Sequence, residues 1–176
     1  MTQRQFYDWQ TAGGGGDVLR LVETLEQEEI PWCMIGGLAV NHWAAEPMAT
    51  ADVDLVIATD RVTQAIKALR NAGFKAKRFP WSVNLEGRSK VRIQISTEPF
   101  YREFPGRALP ADVHGILMRV ACLEDTLRGK VKAWRDPQRR PSKRQKDLTD
   151  ILRLVEANPA LKTQVPADIS KRIAQA

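Results

Sequence analysis

The chain has 176 residues, of which 43% are hydrophobic and 27% charged, the composition of a soluble globular protein with one domain and at most a small helical extension. These values exclude wholesale disorder and a collagen-like repeat, and two cysteines are too few for a disulfide scaffold. The net charge of +6 is unevenly spread: residues 1–60 hold two bases against ten acids, and residues 61–176 hold 25 bases against 11 acids. An acidic front and a basic back suit a cation-holding site beside a surface that attracts polyanions, although a merely solubilising surface has the same composition.

No apolar run approaches the roughly 18 residues of a membrane span. The opening MTQRQFYDWQ lacks the apolar core of a secretory signal, so no membrane association and a cytoplasmic location are expected. Cys33 and Cys122 lie in apolar stretches and read as buried free thiols.

In chain order, residues 1–16 read as a flexible arm that ends in the tetraglycine Gly13–Gly16, which lacks the G-K-[ST] ending of a phosphate-binding loop. Asp17 is the expected N-cap of a helix carrying Val18, Leu21, Val22 and Leu25 on one face. Ile30–Ile35 predicts a buried strand, Gly36-Gly37 a sharp turn, and Leu38–Trp43 a short helix opening at that turn. Ala51–Ile57 alternates acid and apolar residues and predicts a second strand, followed by an amphipathic helix over Arg61–Ala72 and a strand over Phe74–Phe79. Lys90–Ser96 alternates strictly, with Val91, Ile93 and Ile95 inward and Lys90, Arg92, Gln94 and Ser96 on a polar face. Val113–Val120 reads as one further strand, Leu123–Trp134 and Ser142–Glu156 as helices, and Pro159 as the stop before a short closing helix.

Chemistry concentrates in Gly36-Gly37 followed by Asp52-Val53-Asp54. Residues two apart on a strand share a face and sit about 6.5 Å apart, so Asp52 and Asp54 project together while Val53 enters the core. Two convergent carboxylates repel unless a cation sits between them or one is protonated. Such hard oxygen donors suit Mg²⁺ or Mn²⁺ completed by water and phosphate oxygens. Glycine admits close backbone approach, and the helix that follows offers unpaired N–H groups to a phosphate. Either element alone is commonly a plain turn or a solvated strand face. Their ordered combination is what nucleotidyl transfer requires.

The run Ile35-Gly36-Gly37, then Asp52-Val53-Asp54-Leu55, resembles the signature of the nucleotidyltransferase superfamily with the polymerase-beta-like fold. Gly37 stands where many members carry a serine, and Thr50 is the candidate replacement for its hydroxyl. Arg144-Gln145-Lys146-Asp147-Leu148-Thr149-Asp150 is similar to the last motif of the AbiEii/AbiGii-type abortive-infection nucleotidyltransferase toxins, and Leu123–Lys132 resembles their lysine-bearing helix. The resemblance spans roughly residues 18–157. It implies an α/β (α+β) fold with a small mixed sheet flanked by helices, a core over 17–122, and a C-terminal basic helical segment over 123–176 packed on it.

The same resemblance implies Mg²⁺ or Mn²⁺ on Asp52 and Asp54, with an NTP as substrate. Gly36, Gly37, Thr50, Lys130, Lys146 and Asp150 would contact it, and Lys146 with Asp147 would act in catalysis. Read from the helix alone, Lys146 with Asp150 and Lys143 with Asp147 are equally well surface salt bridges four residues apart. A third carboxylate is usual on a later strand of the superfamily, and here that position is Gln94. A carboxamide ligates weakly and takes no proton at neutral pH. Catalysis then runs on two carboxylates, or Glu86 or Glu98 substitutes, or turnover is impaired.

Other residues carry less. His42 and His114 lack metal-ligand spacing, and Trp32, Trp43, Trp81 and Trp134 read as core or pocket walls, with base stacking the alternative for Trp81 that nothing in the sequence supports. Between Arg128 and Lys146 nine bases face one acid, Asp136. That density would attract an RNA backbone, although a solvated helix–loop–helix has the same composition. The leading functional expectation is metal-dependent transfer of a nucleoside monophosphate from an NTP to RNA, in the toxin resemblance tRNA, with a cognate antitoxin protein as partner. The alternative is a catalytically impaired binding module that keeps the fold and its basic face.

Overall fold

The computed structural model describes residues 13–50, 52–113 and 115–174. The elements are α1 (Gly15–Gln27), β1 (Trp32–Ile35), α2 (Gly36–Trp43), β2 (Asp52–Ile57), α3 (Val62–Asn71), β3 (Lys75–Phe79), β4 (Ser82–Glu86), β5 (Arg92–Ser96), α4 (Phe104–Arg107), β6 (Leu109–Val113), β7 (Ile116–Val120), α5 (Leu123–Arg135), α6 (Pro141–Ala157) and α7 (Ala167–Ile173). The seven strands form one mixed sheet in the order β3-β4-β5-β2-β1-β7-β6, with β1–β7 and β2–β5 parallel and the other pairs antiparallel.

One face of the sheet is sealed by α1 and α3. Leu21, Leu25, Ile66 and Leu69 pack on Val53, Leu55, Ile93 and Ile95, the inward set of the alternating strands. A second, helical core joins Val40 of α2 to Leu127 of α5, Ile151 and Leu154 of α6, and Ile169 of α7. This core fixes the C-terminal helices against α2, the helix that opens at Gly36. A third cluster, Cys33, Val56, Tyr101, Phe104 and Ala121, lies on the other side of the sheet. Among the described residues no helix is long and apolar enough to cross a membrane.

The mixed α/β architecture is as expected, but the sheet is wider than the sequence indicates. Val113–Val120 is not one strand: β6 and β7 pair antiparallel, with Val113 opposite Ile116. Pro110 is accommodated because β6 is an edge strand. Strand β4 is additional to the strands that the sequence predicts, since Ser82–Glu86 places only Val83 and Leu85 inward. The expected arm falls outside the described residues as far as residue 12, whereas Gly15 and Gly16 already belong to α1. Gly14 is buried, and a Cβ there would fall 2.3 Å from Val91 Cβ, so this part of the tetraglycine is a packing contact. Both cysteines are free, Cys33 buried and Cys122 half-buried. Trp32 is fully buried and donates to Glu26 at 2.7 Å, but Trp81 is 60% exposed and walls nothing in the core.

Asp17 is not an N-cap. It lies inside the first turn of α1 and reaches across to the loop before β5. There it accepts from the Arg88 N–H (3.1 Å), the Ser89 N–H (2.7 Å) and the Ser89 hydroxyl (2.5 Å), and it pairs with Arg20 at 2.6 Å. Burial pushes this carboxyl up, but the Ser89 and Arg88 bonds and the Arg20 charge outweigh it and hold the group below its usual range. A depressed folded value means that Asp17 contributes stability above the ordinary carboxylate range and loses it as pH falls through the folded value. Asp17→Ala leaves two backbone donors unpaired and is expected to cost about 3 kcal/mol in urea unfolding at pH 7. The difference from wild type should shrink on acidification, and a deficit that is constant down to pH 2 would contradict this assignment.

Candidate active site

The site begins where β1 meets α2. In the antiparallel register Ile35 lies opposite Asp54, so the first turn of α2 folds directly over that carboxylate. Gly36 has φ of +70°, and a Cβ on it would fall 2.3 Å from Asp54 Oδ2. Only glycine provides both the left-handed backbone and the space. Gly37 faces away from the cavity: a Cβ there would meet Thr50 Oγ1 at 3.3 Å. Thr50 is buried, and its hydroxyl lies 3.4 Å from the Asp52 N–H, so it braces the start of β2 from the position beside Gly37.

Asp52 and Asp54 lie on one face of β2 and line a cavity of about 360 Å³ together with Gly36, Gln94, Glu98, Tyr101, Lys130, Arg139, Lys143 and Asp147. Asp52 pairs with Arg92 at 2.9 Å and with Lys143 at 3.5 Å. Burial raises the Asp54 carboxyl; Lys130 opposes the rise, Asp52 adds to it, and Arg139 and Lys143 oppose it, with the net effect upward. The parallel β2–β5 register puts Gln94 beside Asp54 and Arg92 beside Asp52, and both belong to the polar face that the alternation of β5 defines. The Gln94 amide N–H donates to Asn84 Oδ1 at 3.1 Å, which turns its carbonyl into the group's remaining acceptor. Two carboxylates and a carboxamide are hard oxygen donors and fit a divalent cation whose other ligands come from water and phosphate. Among the described residues no group of three or more His, Cys, Asp or Glu is arranged as a metal site by itself.

The opposite wall is a buried ion network. Lys130 is 8% exposed and its Nζ lies 3.2 Å from Asp147 and 2.7 Å from Asp150, which are each 1% exposed. Arg139 also grips Asp147, with one bond of 3.2 Å, and Arg153 holds Asp150 at 3.0 Å. The two pairings expected four residues apart on α6 are therefore not formed. Asp147 and Asp150 turn inward to α5, Lys143 reaches Asp52 across the cavity, and Lys146 does not line the cavity at all. Helix α6 presents the residue one turn earlier, Lys143, because packing sets its rotation, and Arg139 enters from the α5–α6 loop, whose path no periodicity in the sequence defines. Of the two substitutes for a third acid, Glu98 lines the cavity, paired with Lys132, and Glu86 does not.

The basic run of 128–146 is mostly occupied. Arg128 pairs with Asp125 at 3.0 Å and Arg135 with Asp168 at 2.7 Å, Lys132 holds Glu98, and Arg144 donates to the Trp134 carbonyl at 2.8 Å while stacking over that indole. With Lys130, Arg139 and Lys143 in the site, seven of the nine bases are engaged within the chain. His42 is half-buried edge-on to Trp43, where burial lowers its pKa, and His114 lies outside the described residues.

Residues 20–175 match the family described as the nucleotidyl transferase AbiEii toxin of type IV toxin–antitoxin systems. Comparison with curated proteins gave no match. Among solved structures the chain is similar to the antibiotic-resistance factor ANT(2″)-Ia, with TM-score 0.63 and 13% identity over 94% of this chain and 93% of that one. It is also similar to an antigenic nucleotidyltransferase-like protein from Paracoccidioides brasiliensis, with TM-score 0.57 and 20% identity over 90% and 85% of the two chains. The lincosamide antibiotic adenylyltransferase LnuA gives TM-score 0.55 and 11% identity over 80% of this chain and 97% of that one.

Because Asp54 is destabilised in its charged form, Asp54→Asn is expected to raise Tm in metal-free buffer at pH 7, read by differential scanning calorimetry. A lower Tm would contradict the burial assigned to it. Lys130→Met removes the cation shared by two buried carboxylates and is expected to cost about 3 kcal/mol in urea unfolding. A neutral result would place Lys130 outside the network.

Proposed function

The chain belongs to the AbiEii family of nucleotidyltransferase toxins and is a nucleotidyltransferase, and we propose that it transfers a nucleoside monophosphate from an NTP to an RNA acceptor in the cytoplasm, with a cognate antitoxin protein as its partner. The observation that carries this reading is the pairing of Asp52 and Asp54 on β2, under the glycine turn of α2, facing the cations Arg139 and Lys143 across one cavity.

Asp52 and Asp54, with the Gln94 carbonyl, would hold Mg²⁺ or Mn²⁺, which when bound supplies charge neutralisation for the triphosphate and polarises the α-phosphate. Gly36 and the first N–H groups of α2 receive phosphate oxygens. Arg139 and Lys143 take the β- and γ-phosphates, for which Lys143 leaves Asp52. Lys130 keeps its place between Asp147 and Asp150 and supplies field rather than contact. An acceptor hydroxyl attacks the α-phosphorus, the bond to the β-phosphate oxygen breaks, and pyrophosphate leaves. Gln94 cannot take the acceptor proton, and Glu98 is the cavity carboxylate assigned to it.

In calorimetry with Mg²⁺, Asp52→Asn with Asp54→Asn is expected to abolish NTP binding; equal affinity would sink the site. Incubation with each labelled NTP, Mg²⁺ and total RNA is expected to label RNA, and Glu98→Gln to slow labelling by about 10²-fold or more. One observation favours a second reading, a binding module with impaired turnover: the register that puts Gln94 beside Asp54. Gln94→Asp separates the two, because tighter Mn²⁺ binding with faster labelling supports an enzyme limited at this position, whereas tighter binding without labelling supports the module.

A further inference from the structure

The α5–α6 bases are largely neutralised, but a second set of bases is not. Residues 75–92 carry Lys75, Lys77, Arg78, Arg88, Lys90 and Arg92 against the single acid Glu86. Among the described residues Lys75, Lys77, Arg88 and Lys90 make no ion pair, and all four are exposed.

The strand registers carry the face of β2 that bears Asp54 outwards across the sheet. Asp54 is opposite Gln94, Gln94 opposite Asn84, and Asn84 opposite Lys77. The next row runs from Ser96 to Ser82 to Phe79. No helix covers these rows: Lys77, Phe79, Asn84 and Gln94 are exposed, whereas Val83, Leu85, Ile93 and Ile95 point the other way into the core. At the end of the second row the β3–β4 turn leaves Phe79 40% and Trp81 60% exposed, with Lys77 Nζ 5.3 Å from the Phe79 ring. The Trp81 carbonyl accepts from the Thr97 N–H at 2.9 Å, which pins this turn beside Ser96 and Glu98, two residues that line the active cavity.

We infer that the open face of β3–β5 is the docking surface for a single-stranded RNA segment, whose bases stack on Trp81 and Phe79 and whose backbone crosses Lys77 on the way to Asp54. Unpaired cations match the phosphates, exposed rings match the free faces of unstacked bases, and the Asn84–Gln94 amides offer hydrogen bonds to base edges. A duplex keeps its base faces stacked and gains nothing from the two rings. The inference rests on the reading above for its acceptor, but its binding test needs neither NTP nor turnover.

The test is fluorescence anisotropy of the full chain with a labelled 12-nucleotide RNA, single-stranded or annealed to its complement. The single strand is expected to bind more tightly and to quench tryptophan fluorescence. Phe79→Ala with Trp81→Ala should weaken single-strand binding by about tenfold or more and remove the quenching. Lys75→Gln with Lys77→Gln should lower the slope of log K against log salt by about one. Arg140→Gln with Arg172→Gln, the same charge removed elsewhere, should do neither. Equal affinity for duplex, equal loss in the control pair, or no binding by wild type overturns the inference, and label transferred to a protein assigns the face to a protein acceptor. A wild type that binds the single strand here yet labels no acceptor with any NTP overturns the proposed function and leaves the docking surface standing.

Discussion

Everything in the site depends on one close approach, that of the Gly36 backbone to the Asp54 carboxylate. With 2.3 Å between a Cβ at residue 36 and Asp54 Oδ2, the strand–helix corner closes only for glycine in the left-handed region. That closure brings the N-terminal turn of α2 over β2, and α2 then carries Val40 into the helical core with α5 and α6. The cations that face the carboxylates therefore come from helices positioned by the same corner, Lys130 from α5 and Lys143 from α6, and from the loop that joins them, Arg139. A residue at 36 with any side chain would disturb the carboxylate and the seat of the C-terminal helices together.

The electrostatics follow from that geometry. Packing α5 and α6 against α2 buries Lys130, Asp147 and Asp150, and such charges are tolerated only when paired with good geometry. The network spends cations that composition alone would count as free. This is why the chain's overall positive charge says little about where a polyanion can sit. On α5 and α6 the bases close on Asp125, Asp147, Asp150 and Asp168, whereas on β3–β5 they stand with one acid among them.

Much of this was legible in the sequence, and the boundary is physical. Period-two alternation identified the faces of β2 and β5 and so put Asp52 with Asp54, whereas Gln94 was placed beside them by the family resemblance, and the strand register agrees with it. The order of glycine turn and paired acids was specific enough to name a superfamily. Rotation of α6 was not legible: residues three and four apart share a face, but which face turns inward is set by packing on α2 and α5. Hence the cavity is lined by Lys143 and not by Lys146, and Asp147 is held by Lys130 of α5 and Arg139 of the preceding loop instead of by Lys143. Strand β4 escaped because two inward residues make a weak pattern, and with it went the open face that it shares with β3 and β5. Asp17 looked like a cap because a local position cannot reveal partners at Arg88 and Ser89, some seventy residues away.

The central claim is that Asp52 and Asp54 form one metal-dependent nucleotide site with the Gly36 corner. The direct measurement is paramagnetic broadening of backbone amide signals by Mn²⁺ in the presence of a non-hydrolysable NTP. The account predicts that broadening centres on Gly36, Asp52, Asp54 and Gln94 and extends to Lys143, and that it requires the nucleotide for its full extent. Broadening centred elsewhere, or spread over surface acids with the Gly36 and Asp54 signals intact, would contradict it.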